Sequence, residues 1–381
     1  MRVTFLAPQL PPAACGVADH TLRLAQVMRK EGVESSFIYR RGVVDEQLLP
    51  GPVNEWSGGP RRLEQCVAAQ NPDWLWVQLS GYGYSRWGAP FRLAQALRRI
   101  RRRMPSIRMV VYLHETHCLP PQLGAKGRLL SPWQRHNAGK VARLGDLIFA
   151  AVPLYRRRAV AEYGVQPDKV YPLPLGPNIP PVDLTLEERA QLRIELGWKN
   201  ADIVVAVFGL YATQLRALER FEMILLRGLN EGHIHRIVCI GGDPNQSAPP
   251  QLTDWGRRVP HPDCFELLGP RPCEHVARIL SCCDFGLLAE PRIMTEKSSV
   301  YVSYAHAALA VLAQRSPLYP DTEDDGLPVL ESETWDWGQA LSPRVVDMRA
   351  SLQKFAKSRY DWNVIACNAL KAMKKHSVAR D

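Results

Sequence analysis

Short β-rich runs alternate with helical patterns from one end of this sequence to the other, a pattern that calls for βα units around a parallel sheet. The first run is Val3–Ala7. A turn-rich stretch over Pro8–Gly16 follows, and then a helix in which Leu22, Leu24, Ala25 and Met28 recur at helical spacing and Gly32 is placed to cap the end. Further strands are expected at Phe37–Tyr39, Trp74–Leu79, Met109–Leu113 and Leu147–Val152, with helices near Pro90–Arg103 and Tyr155–Tyr163. Val170–Val182 then carries five prolines, which fix φ and remove backbone donors, so it reads as an interdomain linker. Beyond it the alternation resumes. A helix over Leu186–Leu196 leads to strands at Ile203–Phe208, Arg236–Ile240, Cys264–Leu268, Phe285–Leu288, Ala310–Ala313 and Pro328–Leu330, and Val345–Lys375 is mostly helical. The expectation is an α/β protein of two Rossmann-like, doubly wound domains facing across a cleft, where open α/β sheets bind ligands.

Composition narrows the partners. Of 381 residues, 46% are hydrophobic and 23% charged, which excludes wholesale disorder. No apolar run reaches the roughly 18–20 residues of a membrane span, and Met1–Pro8 lacks the pattern of a signal peptide. Nine cysteines without a C-x-x-C pair, two of them adjacent at Cys282–Cys283, fit neither zinc ligation nor a disulfide ladder; the expected setting is reducing and cytoplasmic. The net charge of +10 is unevenly spread: Met1–Asn178 holds 25 Lys+Arg against 12 Asp+Glu, the remainder 23 against 26. Two domains with different partners are implied. The runs Arg98–Arg103 and Arg156–Arg158 read first as solvated helix faces. An anionic membrane surface and nucleic acid compete with that, and nucleic acid ranks lower because no aromatic residue interleaves Arg98–Arg103.

Five segments can carry chemistry. Pro11–Gly16, with Val17, Ala18 and Asp19, opens a helix directly after the first strand; a helix start at Gly16 suits an anion, although no G-x-G-x-x-G fingerprint is present. Tyr112–His117 ends a strand, so His114 can hydrogen-bond a sugar hydroxyl or carry a proton, with Glu115 fixing its tautomer. The H-x-x-H spacing is too short for the helical zinc pattern, and no metal is expected. In Glu290–Ser299, the ammonium of Lys297 and the N–H groups of Ser298 and Ser299 can neutralise a diphosphate while a carboxylate grips ribose; Thr295 serves alternatively as an N-cap. Phe208–Tyr211 ends the first strand of the second half. There Gly209 allows close approach to the backbone, Arg216 is a phosphate partner, and Gly241–Asn245 forms a base pocket or a plain turn. Gly81–Gly88 offers Tyr82, Tyr84 and Trp87 as flat platforms for a sugar or another planar acceptor.

In order and spacing these pieces resemble the GT-B glycosyltransferases, specifically the family 4-like group of retaining, nucleotide-sugar-dependent enzymes. The resemblance rests on Gly-Val-Ala-Asp-His-Thr at 16–21, His114-Glu115, Leu175–Ile179, Glu296–Ser299 leading to Ala310–Ala313, and Asp361-Trp362-Asn363. It implies an acceptor domain over 1–178, a donor domain over 179–358, and a terminal helix over 359–381 crossing back to the first domain. It implies His114 and Glu296 as catalytic residues, Gly16, Gly209, Arg216, Lys297, Ser298 and Ser299 around the donor, and Asp19, His20, Tyr82, Tyr84 and Trp87 around the acceptor. The donor is a UDP- or GDP-sugar, a substrate rather than a cofactor, and neither a metal nor a cofactor is expected. The acceptor is an anionic or lipid-linked saccharide, reached by a cytoplasmic protein in peripheral contact with the inner membrane face. The departures fall at the paired glutamates of the family, where Thr295 and Ser303 stand with Glu296 one place off, and at Thr213–Arg216, where Arg and Lys are usual. The expected activity is transfer of a sugar to a hydroxyl group with retention. A non-catalytic scaffold on the same fold and a nucleotide-sugar epimerase are the alternatives.

Overall fold

A computed structural model describes residues 1–13, 15–316, 318, 319 and 327–378. The chain divides into two compact units, Met1–Leu175 with Trp362–Asp381, and Gly176–Asp361. The sequence reading sets these breaks at 178 and 358.

The first unit contains β1 (Arg2–Ala7), α1 (Gly16–Lys30), β2 (Glu34–Tyr39), β3 (Val53–Glu55), α2 (Pro60–Gln70), β4 (Trp74–Leu79), α3 (Gly81–Tyr84), α4 (Phe91–Arg103), β5 (Arg108–Leu113), α5 (Gly127–Ala142), β6 (Leu147–Ala150), α6 (Pro153–Ala161) and β7 (Val170–Pro172). Its seven strands are parallel, in the order β3-β2-β1-β4-β5-β6-β7. Helices cover both faces, so β4 is buried at all six positions and reads as a nearly unbroken apolar run. Rings line up across the sheet, Phe5 against Phe37 at 5.7 Å and Trp76 against Phe149 at 5.3 Å.

Two expectations are corrected in this unit. The proline-rich linker begins later than Val170, because Val170–Pro172 pairs with Ile148–Ala150 as the edge strand β7. Pro172 is tolerated there since an edge has one unpaired side. The run Arg156–Arg158 is not a uniformly solvated face: Arg158 is buried and donates to Thr116 Oγ1 (2.6 Å) and the His117 carbonyl (2.9 Å). Helix α5 leaves little signal in the sequence, since its buried face is small and polar (Ser131, Gln134, Asn137, Gly139) and Pro132 lies inside it.

The second unit contains α7 (Leu186–Glu195), β8 (Val204–Phe208), α8 (Tyr211–Asn230), β9 (Arg236–Ile240), α9 (Pro250–Gly256), β10 (Phe265–Gly269), α10 (Cys273–Cys282), β11 (Phe285–Leu287), α11 (Ser299–His306), β12 (Ala310–Ala313), β13 (Leu330–Glu331) and α12 (Pro343–Arg359). Its parallel sheet runs β10-β9-β8-β11-β12-β13. Along β8, Val204, Ala206 and Phe208 face one core and Val205 and Val207 the other, the two-residue period of a strand buried on both sides. The last helix, α13 (Trp362–Val378), returns to the first unit, where it packs along α1 and accepts from Arg108 Nη2 through the Ser377 carbonyl at 2.8 Å.

In each sheet the strand order reverses once, between β1 and β4 and between β8 and β11. The carboxyl ends of those strand pairs open a crevice, the usual ligand position of an open α/β sheet.

Candidate functional site

At the β8/β11 reversal the backbone turns on glycines. Gly209 has φ 127° and donates its N–H to the Ile240 carbonyl at 3.1 Å. Gln214 Nε2 ties the same two carbonyls together, at 2.8 Å to Gly209 and 3.0 Å to Ile240. A Cβ at Gly241 would lie 2.8 Å from the Gly209 oxygen, and one at Gly242 2.4 Å from the Tyr211 ring, so side chains are excluded where β8 and β9 end. A Cβ built at Gly209 would lie 3.5 Å from Val300 Cγ2, which places this turn beside the start of α11.

Helix α11 begins one residue later than the expected phosphate cradle. The Ser298 N–H is spent on the Thr295 carbonyl (2.9 Å), and the Ser298 hydroxyl is the N-cap, accepting from Tyr301 N at 3.4 Å. The expected role of the Ser298 N–H is therefore replaced by the first-turn N–H groups of Ser299 and Val300, which have no intrahelical acceptor. Lys297 is half-buried at the end of the preceding 3₁₀ turn, Arg292–Lys297. Arg216, on the first turns of α8, holds an exposed guanidinium with Nη2 3.8 Å from Glu290 Oε1. The structure thus has Gly209, Arg216, Lys297 and Ser299 within one unit, and adds Glu290 as the carboxylate neighbour of Arg216.

Glu296 is turned away from that group. It is 3% exposed, and its Oε1 accepts from Arg359 Nε (2.7 Å) and the Tyr360 hydroxyl (3.1 Å). Its expected catalytic role gives way to anchoring the end of α12. The two positions of the family glutamates are also occupied internally: Thr295 Oγ1 donates to the Arg292 carbonyl at 2.6 Å, and Ser303 Oγ to Asn178 Oδ1 at 3.0 Å. Glu296→Ala should lower stability by about 2–4 kcal/mol, because it leaves Arg359 and the buried Tyr360 hydroxyl without their acceptor. A thermal unfolding scan checks this; a transition within about 1 °C of wild type would contradict it.

At the β1/β4 reversal of the first unit, Gly16 is exposed and opens α1 without a side-chain cap at Cys15. Asp19 is half-buried in the first turn; burial raises its carboxyl pKa, with the charge of Arg23 opposing. His114, at the end of β5, is half-buried with Nε2 2.7 Å from Oε1 of the fully buried Gln78. This contact to Gln78 fixes the orientation of the His114 ring. Glu115 was the expected tautomer-setting partner, but its Oε2 accepts from Ser80 Oγ at 2.7 Å. Gln78 takes that place, and its signal was a polar residue inside the apolar run Trp74–Leu79.

His20 lies behind His114 and not among exposed acceptor groups. It is 3% exposed, its ring 5.0 Å from His114, 4.7 Å from Tyr112 and 5.4 Å from Trp362, and neither ring nitrogen has a hydrogen-bond partner among the described residues. Desolvation lowers its pKa to about 3, so the ring is neutral in the folded protein. The unfolded chain binds this proton near pH 6.5 and the folded one does not, so stability falls as pH drops below about 6.5 and continues to fall towards about 3. At pH 5 His20 alone should cost about 2 kcal/mol. Urea titrations at pH 7 and pH 5 should show His20→Phe losing less stability on acidification than wild type; equal losses would refute the assignment.

Of the three aromatic platforms, two are presented to solvent. Tyr82 and Trp87 are 41% and 40% exposed, and the buried Gln134 amide holds both, donating to the Tyr82 hydroxyl (3.0 Å) and the Trp87 carbonyl (2.9 Å). Arg86 stands 4.9 Å over the Trp87 ring. Tyr84 points inward, its hydroxyl donating to the Leu6 carbonyl at 2.9 Å and its ring set against Trp56, so it braces the loop instead of facing a ligand. Among the described residues no group of three or more His, Cys, Asp or Glu is arranged to hold a metal ion, and no helix is long and apolar enough to cross a membrane.

The chain matches no protein-family model and no curated protein. Solved structures match it along almost its whole length. Anabaena Alr3699/HepE in complex with UDP is 14% identical, with a TM-score of 0.71 over 98% of this chain and 100% of that one. Sucrose-phosphate synthase from Thermosynechococcus elongatus is 10% identical, with a TM-score of 0.71 over 100% of both chains. WaaG, a glycosyltransferase involved in lipopolysaccharide biosynthesis, is 13% identical, with a TM-score of 0.62 over 96% of this chain and 98% of that one. The two parallel sheets with their covering helices are those of the GT-B fold.

Proposed function

We propose that this protein is a glycosyltransferase that moves a sugar from a nucleoside diphosphate sugar, a UDP- or GDP-sugar, to a hydroxyl group, without a metal ion or other cofactor. The observation that carries the reading is the convergence of Gly209, Arg216, Lys297 and the α11 start in the second unit. Transfer breaks the bond between the anomeric carbon and the diphosphate and leaves negative charge on the departing oxygen. The Lys297 ammonium, the Arg216 guanidinium and the Ser299 and Val300 N–H groups meet that charge, together with the positive end of the α11 dipole. The Gly209 turn leaves room for the nucleotide to lie against backbone. His114, positioned by Gln78, would hydrogen-bond a sugar hydroxyl. Retention rests on the resemblance to the family 4-like enzymes.

For the acceptor we infer an anionic or lipid-linked saccharide stacked on Tyr82 and Trp87, with Asp19 in reach of a hydroxyl. The basic first unit favours a cytoplasmic protein in peripheral contact with the inner membrane face. Nucleotide release from a panel of UDP- and GDP-sugars, with and without candidate acceptors, tests the reaction. Release that depends on acceptor supports transfer, whereas conversion of the donor sugar without acceptor would point to an epimerase. The internal use of Thr295, Glu296 and Ser303 favours one competing reading, a scaffold without donor chemistry. Calorimetry that detects no nucleotide-sugar binding would establish that reading in place of ours.

A further inference from the structure

We propose that a groove between α2 and α4, in the first unit, binds a phosphate-bearing anion. This goes beyond the transferase reading and does not depend on it. The two helices pack side by side and are linked by Arg99 Nε to Glu64 Oε2 at 2.9 Å. Leu93, Ala94, Ala96, Leu97 and Ile100 take the buried stripe of α4, which leaves the five arginines of Arg98–Arg103 on the remaining surface.

Those arginines are not equivalent. Arg101 turns to Asp146 Oδ2 (2.7 Å) and the Leu144 carbonyl (2.6 Å). Arg99 and Arg103 share Glu64, the latter at 3.5 Å. Arg98 and Arg102 are exposed, stand four residues apart on one helix face, and form no ion pair with any described residue; the same holds for Arg61 on the first turn of α2. Arg61, Arg98, Arg99 and Arg102 line one cavity of about 570 Å³ together with Gly59, Pro60 and Gln95. The nearest carboxylate, Glu64, is already shared between two guanidiniums.

With Arg99 paired to Glu64, the three unpaired guanidiniums of Arg61, Arg98 and Arg102 give this concavity a positive potential that an anion would relieve. Their planar forks match phosphate oxygens in pairs. The cavity has a volume within the range of small-ligand sites. No aromatic ring and no carboxylate lines it, so it offers no platform on which to stack a base. Recognition therefore falls on the phosphoryl group, carried either by a soluble molecule or by a lipid headgroup.

The test uses the full chain in 0.1 M salt with two probes. One is inorganic pyrophosphate, followed by calorimetry; the other is vesicles of phosphatidylglycerol and phosphatidylcholine, against pure phosphatidylcholine, followed by co-sedimentation. Arg61→Gln/Arg98→Gln/Arg102→Gln removes three exposed side chains without breaking an ion pair. A matched control, Arg29→Gln/Lys30→Gln/Arg157→Gln, removes the same charge elsewhere on the unit. Wild type should bind at least one probe, and the groove variant should bind it at least tenfold more weakly while the control stays within about twofold. Binding of pyrophosphate identifies a soluble phosphate ligand; binding of anionic vesicles alone identifies a headgroup. If wild type binds neither probe, or the control weakens binding as much as the groove variant does, the proposal fails.

Discussion

Lys297→Ala should lower kcat/KM for the nucleotide-sugar donor about a hundredfold or more. The charge that develops on a departing diphosphate is met in water by solvent, whereas in the proposed mechanism the ammonium of Lys297, just before α11, is in place to meet it before the bond breaks. Removing one preorganised donor of this kind typically costs about 3 kcal/mol of transition-state stabilisation, and each 1.36 kcal/mol is a factor of ten. The loss should appear mainly in kcat, because in the proposed mechanism the ground-state diphosphate keeps Arg216 and the Ser299 and Val300 N–H groups. Arg216→Ala should cost less, about tenfold, since its guanidinium is exposed and already 3.8 Å from Glu290. Steady-state kinetics on purified variants decide the matter: wild-type kcat/KM in both would remove the leaving-group clamp from the proposed mechanism.

Asp284→Ala should destabilise the second unit by about 3–5 kcal/mol, enough to leave it unfolded or to lower its transition by roughly 10 °C. Asp284 stands just before β11 with little exposure. Its carboxylate accepts from Arg189 Nη2 at 2.8 Å, Arg193 Nη1 at 3.4 Å, Arg349 Nη1 at 3.3 Å and the Val204 N–H at 3.0 Å. Removing it orphans the Val204 amide and leaves three guanidiniums facing one another, one of them the 1%-exposed Arg193. A native stability of about 5–15 kcal/mol leaves little margin for such a loss. Asp284→Asn keeps an acceptor oxygen and should be milder. Urea denaturation monitored by tryptophan fluorescence would show it; a midpoint unchanged in Asp284→Ala would mean the arginines find other partners.

These two residues differ in how they can be found. Lys297 is visible in the sequence, because a polar cluster just past a short apolar run marks a strand end, and strand ends in parallel sheets are where ligands bind. Asp284 is visible only once folded: its partners come from α7 and α12 and from residue 204, up to 95 positions away. The same contrast runs through the site. Gly209 follows a predicted strand end and Arg216 and Ser299 lie on the predicted helices, all within one unit, whereas Glu296, Tyr84 and Arg158 are polar groups that the tertiary structure spends internally.

What the amino-acid sequence determines alone is the alternation of buried strands and covering helices. A parallel strand enclosed on both faces must be apolar along its length, and that requirement is local enough to read, as it was for β4 and β8. What only the tertiary structure decides is which polar side chain keeps its hydrogen-bonding capacity for a ligand. A one-residue shift in where α11 begins gives the Ser298 N–H to Thr295, and Glu296 just before it is turned onto Arg359 and Tyr360. A register change that small leaves the hydrophobic pattern untouched, but it decides whether a carboxylate can reach a substrate.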